Sequence, residues 1–289
     1  MIYRVGRYTI ELVIQDWFRL DGGIIFSGVP RDIWSQFAIA QDLPRYGENT
    51  VKLPVNCFLI TSPNGDKVLV DTSFGDADYS RWKDKIREFG MENGFNLLNG
   101  RRDSEQPNIV IPTHLHFDHA GGCAKLQGDE LVPAFENARY IIHKDEIAHA
   151  MKAHPKTRSS YLRETIDGIK MLRDRGIISL ISGSRFSTDE CVEVFRTRGH
   201  TPGHLSIKIK SEGETALIMG ALAPTRWHIN ILACGVGNDT HGLEAVDHKS
   251  KFLCRAAKEK WLLLLEHDEG VAGRAIELKK DKYEFVPAP

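Results

Sequence analysis

The segment His114-Leu115-His116-Phe117-Asp118-His119 constrains this chain more than any other six residues. On a helix, residues two apart point to different sides, so His114 and His116 converge only from extended or looped backbone. A helical pair of histidines four apart, the arrangement of many metal-dependent proteases, is thereby excluded. What remains is a strand that runs into a loop carrying three imidazoles and a carboxylate. Such clusters build sites for Zn²⁺, Mn²⁺ or Fe²⁺. The chain has 12 histidines in 289 residues, so a chance pair would mean little, but three within six positions beside an aspartate point to metal.

Hydrophobic residues make up 42% of the chain, ample for a sizeable core. Lys and Arg number 38 against 39 Asp and Glu, a formal net charge of −1. That balance gives no bulk attraction to nucleic acid or to a membrane, and a small-molecule partner is expected. The cysteines Cys57, Cys123, Cys191, Cys234 and Cys254 are scattered, odd in number and without a CxxC spacing. This argues against a disulfide framework and against a thiolate zinc site. The N-terminal residues enter the alternating pattern Tyr8-Thr9-Ile10-Glu11 without the apolar stretch of a signal peptide, and no run approaches a membrane span. A cytoplasmic location is the expectation.

Apolar, β-branched runs at 55–61 and 68–71 flank Pro63-Asn64-Gly65-Asp66, which predicts a hairpin. Residues 108–111 predict a buried strand leading into the histidine loop, and 79–89 a helix from the spacing of Trp82, Ile86 and Phe89. Farther on, strands are predicted at 139–143, 192–197, 205–210, 216–219, 261–265 and 275–285. Helices are predicted at 145–153, capped by Asp145, at 160–175, ended at Gly176, and within 241–260. Strands in two groups, each followed by helices, predict an α/β layered fold with a sheet-on-sheet core and helices outside. One domain over residues 1–289 is expected. Residues 20–54 and 224–240 lack strong periodicity and are rich in Gly, Pro and aromatics, and they read as substrate loops. Their aromatics Phe26, Trp34 and Trp227 have two uses open to them, an apolar pocket or a homodimer interface.

Two later histidines stand out by position. His200 lies in Gly199-His200-Thr201-Pro202-Gly203-His204 between two predicted strands, and His267 follows the apolar run 261–265 in Glu266-His267-Asp268. Each sits at a strand end, where a rigid scaffold can hold an imidazole.

These motifs, together with Val70-Asp71-Thr72 and the continuation Ala120-Gly121-Gly122, make the chain resemble metallo-β-lactamase-fold hydrolases over nearly its whole length. The resemblance implies a four-layer αββα sandwich, two mixed β-sheets with helices outside. It implies one metal ion on His114, His116 and His200, a second on Asp118, His119 and His267, and Asp71 behind them orienting the histidine loop. Zn²⁺ in one or two copies is the ion implied, with Mn²⁺ and Fe²⁺ as alternatives. His204 falls beyond the ligand position and is read as structural. Asp21-Gly22-Gly23, Val29-Pro30 and Trp34, Pro224-Thr225 with His228, and the Glu266-His267-Asp268 ending are similar to the quorum-quenching, N-acyl-homoserine lactonase-like branch.

One position departs from the family pattern. After Ala216-Leu217-Ile218-Met219-Gly220 the resemblance calls for an aspartate that bridges the two ions, and this chain has Ala221. Without that carboxylate the repulsion between two divalent ions is less compensated, and the second should bind more weakly. Three outcomes are open: an active one-metal site, a two-metal site using Asp239, Asp268 or Glu266 instead, or loss of activity. The expected reaction is hydrolysis of a lactone or ester, a metal ion lowering the pKa of its water so that hydroxide attacks the carbonyl. Asp118 would orient that water and carry a proton to the leaving group. Thr225, Trp227 and His228 are candidates for contacting the substrate. Glyoxalase-type thioester hydrolysis is the enzymatic alternative, and a non-catalytic metal- or ligand-binding relative is the alternative of a different class.

Overall fold

Continuous apolar runs bury the central strands of this chain on both faces, alternating runs bury edge strands on one, and together they form two sheets sharing one core. A computed structural model describes residues 1–40, 49–75 and 106–288. The first sheet is built from β1 (Ile2–Val5), β2 (Tyr8–Asp21), β3 (Thr50–Thr61), β4 (Lys67–Val70) and β5 (Ile109–Ile111). After a small separate hairpin, β6 (Ala124–Gln127) and β7 (Glu130–Pro133), it is completed by β8 (Arg139–His143) and β9 (Ile178–Ile181). Its order is β1-β2-β3-β4-β5-β8-β9, antiparallel as far as β4 and parallel beyond it. The second sheet runs β10 (Arg185–Ser187), β11 (Val192–Arg196), β12 (Leu205–Ser211), β13 (Glu214–Ile218), β14 (Leu262–Leu264), β15 (Ala272–Lys279) and β16 (Lys282–Pro287). Only its β13–β14 pair is parallel.

Neighbouring side chains divide between the layers. Val68 and Val70 enter the core between the sheets, whereas Leu69 faces the helices Lys144–Ala150 and Arg163–Asp174. In the second sheet Ala216 and Ile218 face inward, and Leu217 and Met219 pack beneath the helix Gly242–Glu259. The layers are therefore helix, sheet, sheet, helix, the αββα architecture expected.

Several boundaries differ from the sequence expectation. The helix expected at 145–153 spans Lys144–Ala150, and its cap is His143, whose Nδ1 accepts from the Asp145 amide at 3.1 Å; Asp145 sits in the first turn. A single 3₁₀ turn, Arg158–Ser160, delays the next helix to Arg163. The strand expected at 275–285 is two strands, reversed at Lys280-Asp281 with Asp281 at φ 60°. Aspartate tolerates that left-handed conformation without the glycine that would have marked a turn in the sequence. The segment 20–54 is less irregular than expected, holding the end of β2, helices Gly22–Ile25 and Arg31–Ala40, and the start of β3. Segment 224–240 contains the short helix Arg226–Asn230. The helix expected at 79–89 lies outside the described residues. Among the described residues no helix is long and apolar enough to cross a membrane.

Four strands, β4, β5, β13 and β14, end at one edge of the sandwich and release the sequence motifs there. The two sheets are tied at this edge by backbone bonds: Leu205 N donates to Thr113 O at 2.8 Å and Asn56 N to Glu266 O at 2.9 Å. Asn56 adds its side-chain amide, which donates to Leu265 O at 2.8 Å and Asp268 O at 3.0 Å.

Ile207 is fully buried between the sheets, whereas Leu278 on β15 is 63% exposed. Ile207→Ala should cost about 2–5 kcal/mol in urea unfolding, and Leu278→Ala less than about 0.5 kcal/mol. Equal losses at the two positions would contradict the layer assignment.

Candidate metal centre

The histidine loop takes its shape from alternation followed by one helical turn. Leu115 is fully buried among the side chains beneath the first sheet's helices, so His114 and His116 on either side of it point the other way. His116 then precedes the helical turn Phe117–Ala120, which swings Asp118 and His119 back toward the same centre. The Gly121-Gly122 pair lets this turn press on residues 72–74. A Cβ at Gly122 would lie 2.2 Å from Thr72 O, and one at Gly121 2.3 Å from Phe74 O.

Two groups of buried side chains result: His114, His116 and His200, and Asp118, His119 and His267. In the first, His116 Nδ1 lies 3.0 Å from His114 Nε2 and 3.1 Å from His200 Nε2. In the second, His119 Nε2 and His267 Nε2 are 3.3 Å apart, and Asp118 Oδ2 lies 3.3 and 3.5 Å from them. Ligands of a tetrahedral zinc ion at about 2.05 Å stand about 3.3 Å from each other. Both groups match that edge length.

The outer nitrogens decide where the protons are. His200 Nδ1 faces Asp239 Oδ1 at 2.7 Å, His119 Nδ1 faces Asp71 Oδ2 at 2.9 Å, and His267 Nδ1 faces the Pro54 carbonyl at 2.9 Å. His114 Nδ1 lies 3.0 Å from the hydroxyl of Thr113, whose proton goes to Asp71 Oδ2 at 3.1 Å. Each of these rings donates outward, and in its neutral form each leaves a bare nitrogen facing inward. Lone pairs brought this close repel unless a cation lies among them, so both donor sets fit a divalent ion.

The electrostatics agree. Burial, followed by the crowding of His119, His116 and His200, holds His114 well below the usual histidine pKa, and burial with His200 does the same for His116. His267 is lowered to about 4 by burial and by His119. Neutral imidazole is the form that binds metal. Burial would also push the Asp118 carboxyl up, but His119, His267 and His116 hold it well below the carboxylate range. Burial opposes charge on His119, yet Asp118, Asp71 and Glu266 raise its pKa well above the ordinary value, an attraction they would equally exert on a metal cation.

Asp71 occupies the place behind the loop expected for it. Its backbone is left-handed at φ 60°, and Oδ1 accepts from Thr113 N at 2.6 Å. His204 is buried and structural, with Nδ1 2.8 Å from Thr197 Oγ1 and Nε2 accepting from Ala221 N at 3.0 Å. Gly220 at φ 65° passes so close that a Cβ would lie 2.5 Å from that Nε2.

Both groups open into a cavity of about 460 Å³, with Phe18, Leu20, Ile24 and Ile25 on one wall and Ala221 among its lining residues. Thr225, Trp227 and His228, expected to contact the substrate, are not among the residues that line it. His228 is fully buried, with Nδ1 2.9 Å from Thr225 Oγ1 and Nε2 donating to Ile25 O at 2.8 Å. It pins the Ile25 wall from behind, and burial beside Lys249 lowers its pKa to about 3. Phe26 and Trp34 stack on each other within the apolar cluster that also contains Trp227. Two of the three substitute carboxylates are engaged elsewhere, and the third stands behind the site. Asp239 holds His200 and the Val236 amide, Asp268 grips Arg226 through both oxygens, and Glu266 lies behind His119, 3.6 Å from its Nδ1.

The family profile of the metallo-beta-lactamase superfamily matches residues 50–267, 218 of the 289. The chain belongs to that superfamily. An N-acyl homoserine lactonase of Bacillus thuringiensis is 26% identical over 190 residues, covering 58% of this chain and 63% of that protein. A probable metallo-hydrolase of Methanocaldococcus jannaschii is 29% identical over 146 residues, 48% of this chain and 64% of its own length. The chain thus spans under two thirds of the curated relatives it matches. A crystal structure of a probable metal-dependent hydrolase from Staphylococcus aureus superposes with a TM-score of 0.83 at 22% identity, covering 99% of this chain and 100% of that one. A dizinc quorum-quenching lactonase in complex with the product N-hexanoyl-L-homoserine gives 0.78 at 18% identity, over 100% and 97% of the two chains. At these identities the structures establish the shared metallo-beta-lactamase fold.

Sequence reasoning missed the residue that joins this superfamily member's two main motifs. Glu146 is 1% exposed, and four donors converge on its carboxylate: Leu115 N at 3.0 Å, Tyr161 Oη at 3.1 Å, Gly203 N at 3.2 Å and Thr201 Oγ1. An isolated Glu in a helical stretch reads as solvated, and only the fold shows it buried. Glu146→Ala would strand those donors and should lower stability by about 3 kcal/mol or more in urea unfolding, against about 1 kcal/mol for Tyr161→Phe. A loss under about 1 kcal/mol for Glu146→Ala would remove it from this role.

Proposed function

We propose that the protein is a metal-dependent hydrolase of a lactone or ester. The observation that carries this reading is the convergence of two sets of buried imidazole and carboxylate donor atoms on one cavity. His114, His116 and His200 would hold one ion, and Asp118, His119 and His267 a second; Zn²⁺ suits these ligands, with Mn²⁺ and Fe²⁺ as alternatives. When bound, such an ion supplies an acidified water and polarises a carbonyl.

The remaining steps belong to side chains. Asp118, an anion facing the cavity, orients the attacking water and carries its proton to the leaving oxygen. Asp71, Asp239, Thr113 and the Pro54 carbonyl keep the imidazoles in one tautomer and one orientation, so no reorganisation is needed when charge develops. The wall of Phe18, Leu20, Ile24 and Ile25 receives the apolar part of the substrate and excludes water from that side. The cavity draws Leu20, Gly23, Ile24 and Ile25 from the proposed loop at 20–54 and Val236, Gly237 and Asn238 from that at 224–240, which supports one domain over residues 1–289. The 26% identity to a Bacillus lactonase supports a lactone or ester substrate class.

The Ala221 side chain carries no oxygen, Asp239 and Asp268 are committed elsewhere, and Glu266 lies behind His119, not among the described residues that line the cavity. The second ion therefore lacks a shared anionic ligand, and the all-histidine group should bind the tighter of the two.

Protein expressed with added metal should retain about one equivalent of transition metal by elemental analysis, and His116→Ala should lose most of it. Ala221→Asp should move the content toward two equivalents, and an unchanged ratio would count against the account of the second ion. Assays against lactones, aryl esters and thioesters with Zn²⁺, Mn²⁺ and Fe²⁺ separate the hydrolase from its rivals. Turnover of thioesters alone would move the reading to the glyoxalase type. Bound metal with no turnover of any substrate would leave a binding protein.

A further inference from the structure

The cavity's mouth carries a cation that no sequence motif accounts for. Lys156, Ser159 and Ser160 line it from the loop between the helices Lys144–Ala150 and Arg163–Asp174. Lys156 is exposed, and its Nζ donates to the Asp239 carbonyl at 2.8 Å. A carbonyl satisfies one of three ammonium donors and none of the charge. Among the described residues its partner is this carbonyl and not a carboxylate; the Asp239 side chain is committed to His200 and to Val236 N.

The surrounding segment has the same sign. No acidic residue occurs between Glu146 and Glu164, an interval that contains Lys152, Lys156, Arg158 and Arg163. Of these, Arg163 is paired with Asp167. Asp21, next to the lining residue Leu20, does not itself line the cavity, and its Oδ1 accepts from the Gly23 amide. Asp118 is the only carboxylate among the described residues that line the cavity. The cavity thus has an apolar wall at Phe18, Leu20, Ile24 and Ile25, and at the opening an ammonium with no carboxylate partner among the described residues.

We propose that Lys156 is a specificity-determining residue that selects substrates bearing an oxyanion, a carboxylate or phosphate, in addition to the bond to be hydrolysed. A neutral lactone offers the ammonium no charge partner, whereas an anionic substituent is attracted by the rim before it docks and paired with Lys156 after. The proposal deepens the hydrolase reading and rests on it for the word substrate.

The test is calorimetric titration of hexanoate, adipate and 6-phosphonohexanoate into the protein, as purified and after zinc addition. The first has one anionic end and the other two have two, so the comparison isolates the second anion. Adipate or the phosphonate should bind at least about fivefold more tightly than hexanoate, with the difference shrinking as ionic strength rises. Which of the two binds better names the oxyanion. Lys156→Gln should bring the ratio to about one, and Lys156→Arg should keep most of it. Equal affinities for all three probes, or a preference that survives in Lys156→Gln, overturns the proposal. Turnover of neutral esters alongside equal affinities would leave the hydrolase reading standing; a Lys156-dependent preference with no turnover of any ester would sink only that reading.

Discussion

A carboxylate in left-handed backbone at the end of β4 is the fixed point of this structure. Asp71 accepts the Thr113 amide and hydroxyl on one side and His119 Nδ1 on the other. Thr113, held in this way, offers its hydroxyl oxygen to His114 and its carbonyl to Leu205 at the start of β12. One side chain therefore sets the tautomers of two inward-facing imidazoles and the height at which the second sheet meets the first. The positive φ costs a non-glycine residue about 1–2 kcal/mol, less for aspartate, and the bonds it makes offset that cost.

Glu146 does for the second motif what Asp71 does for the first. Its oxygens receive Leu115 N, lodged between His114 and His116, and Gly203 N and Thr201 Oγ1 beyond His200. The group His114, His116 and His200 is drawn from both sheets, and this one buried carboxylate fixes the separation of its two halves. Sub-ångström matching of donor atoms across a sandwich requires such cross-links, because packed apolar side chains specify distance less sharply than hydrogen bonds do.

The sequence revealed elements whose signal is local. The His114 to His119 spacing excluded a helical face, the apolar runs on either side of Pro63-Asn64-Gly65-Asp66 set the hairpin, and His200 and His267 declared themselves by following apolar strands. Long-range partners stayed hidden. Glu146 lies 31 residues from Leu115 and 57 from Gly203, and nothing in its neighbourhood distinguishes it from a solvated helix residue. The surroundings of His228 stayed hidden for the same reason. A histidine in a loop beside a motif reads as a site residue, but closure of the fold buried both its nitrogens against Thr225 and Ile25. The cap at His143 and the turn at Asp281 were missed because a ring nitrogen and an aspartate replaced the usual residues.

Charge links the two unusual features of the cavity. Burial holds the pKa values of His114, His116 and His267 below the ordinary histidine value, and Asp118 is the only carboxylate among the described residues that line the cavity. On the metal reading, any divalent ion there leaves the cavity positive, the more so because Ala221 brings no second carboxylate. Lys156 at the mouth adds to that field instead of cancelling it. A site that accumulates uncompensated positive charge at both its floor and its rim favours a ligand that brings negative charge with it. The alanine and the lysine, distant in sequence and each unremarkable alone, thus act in the same direction on what the cavity can hold.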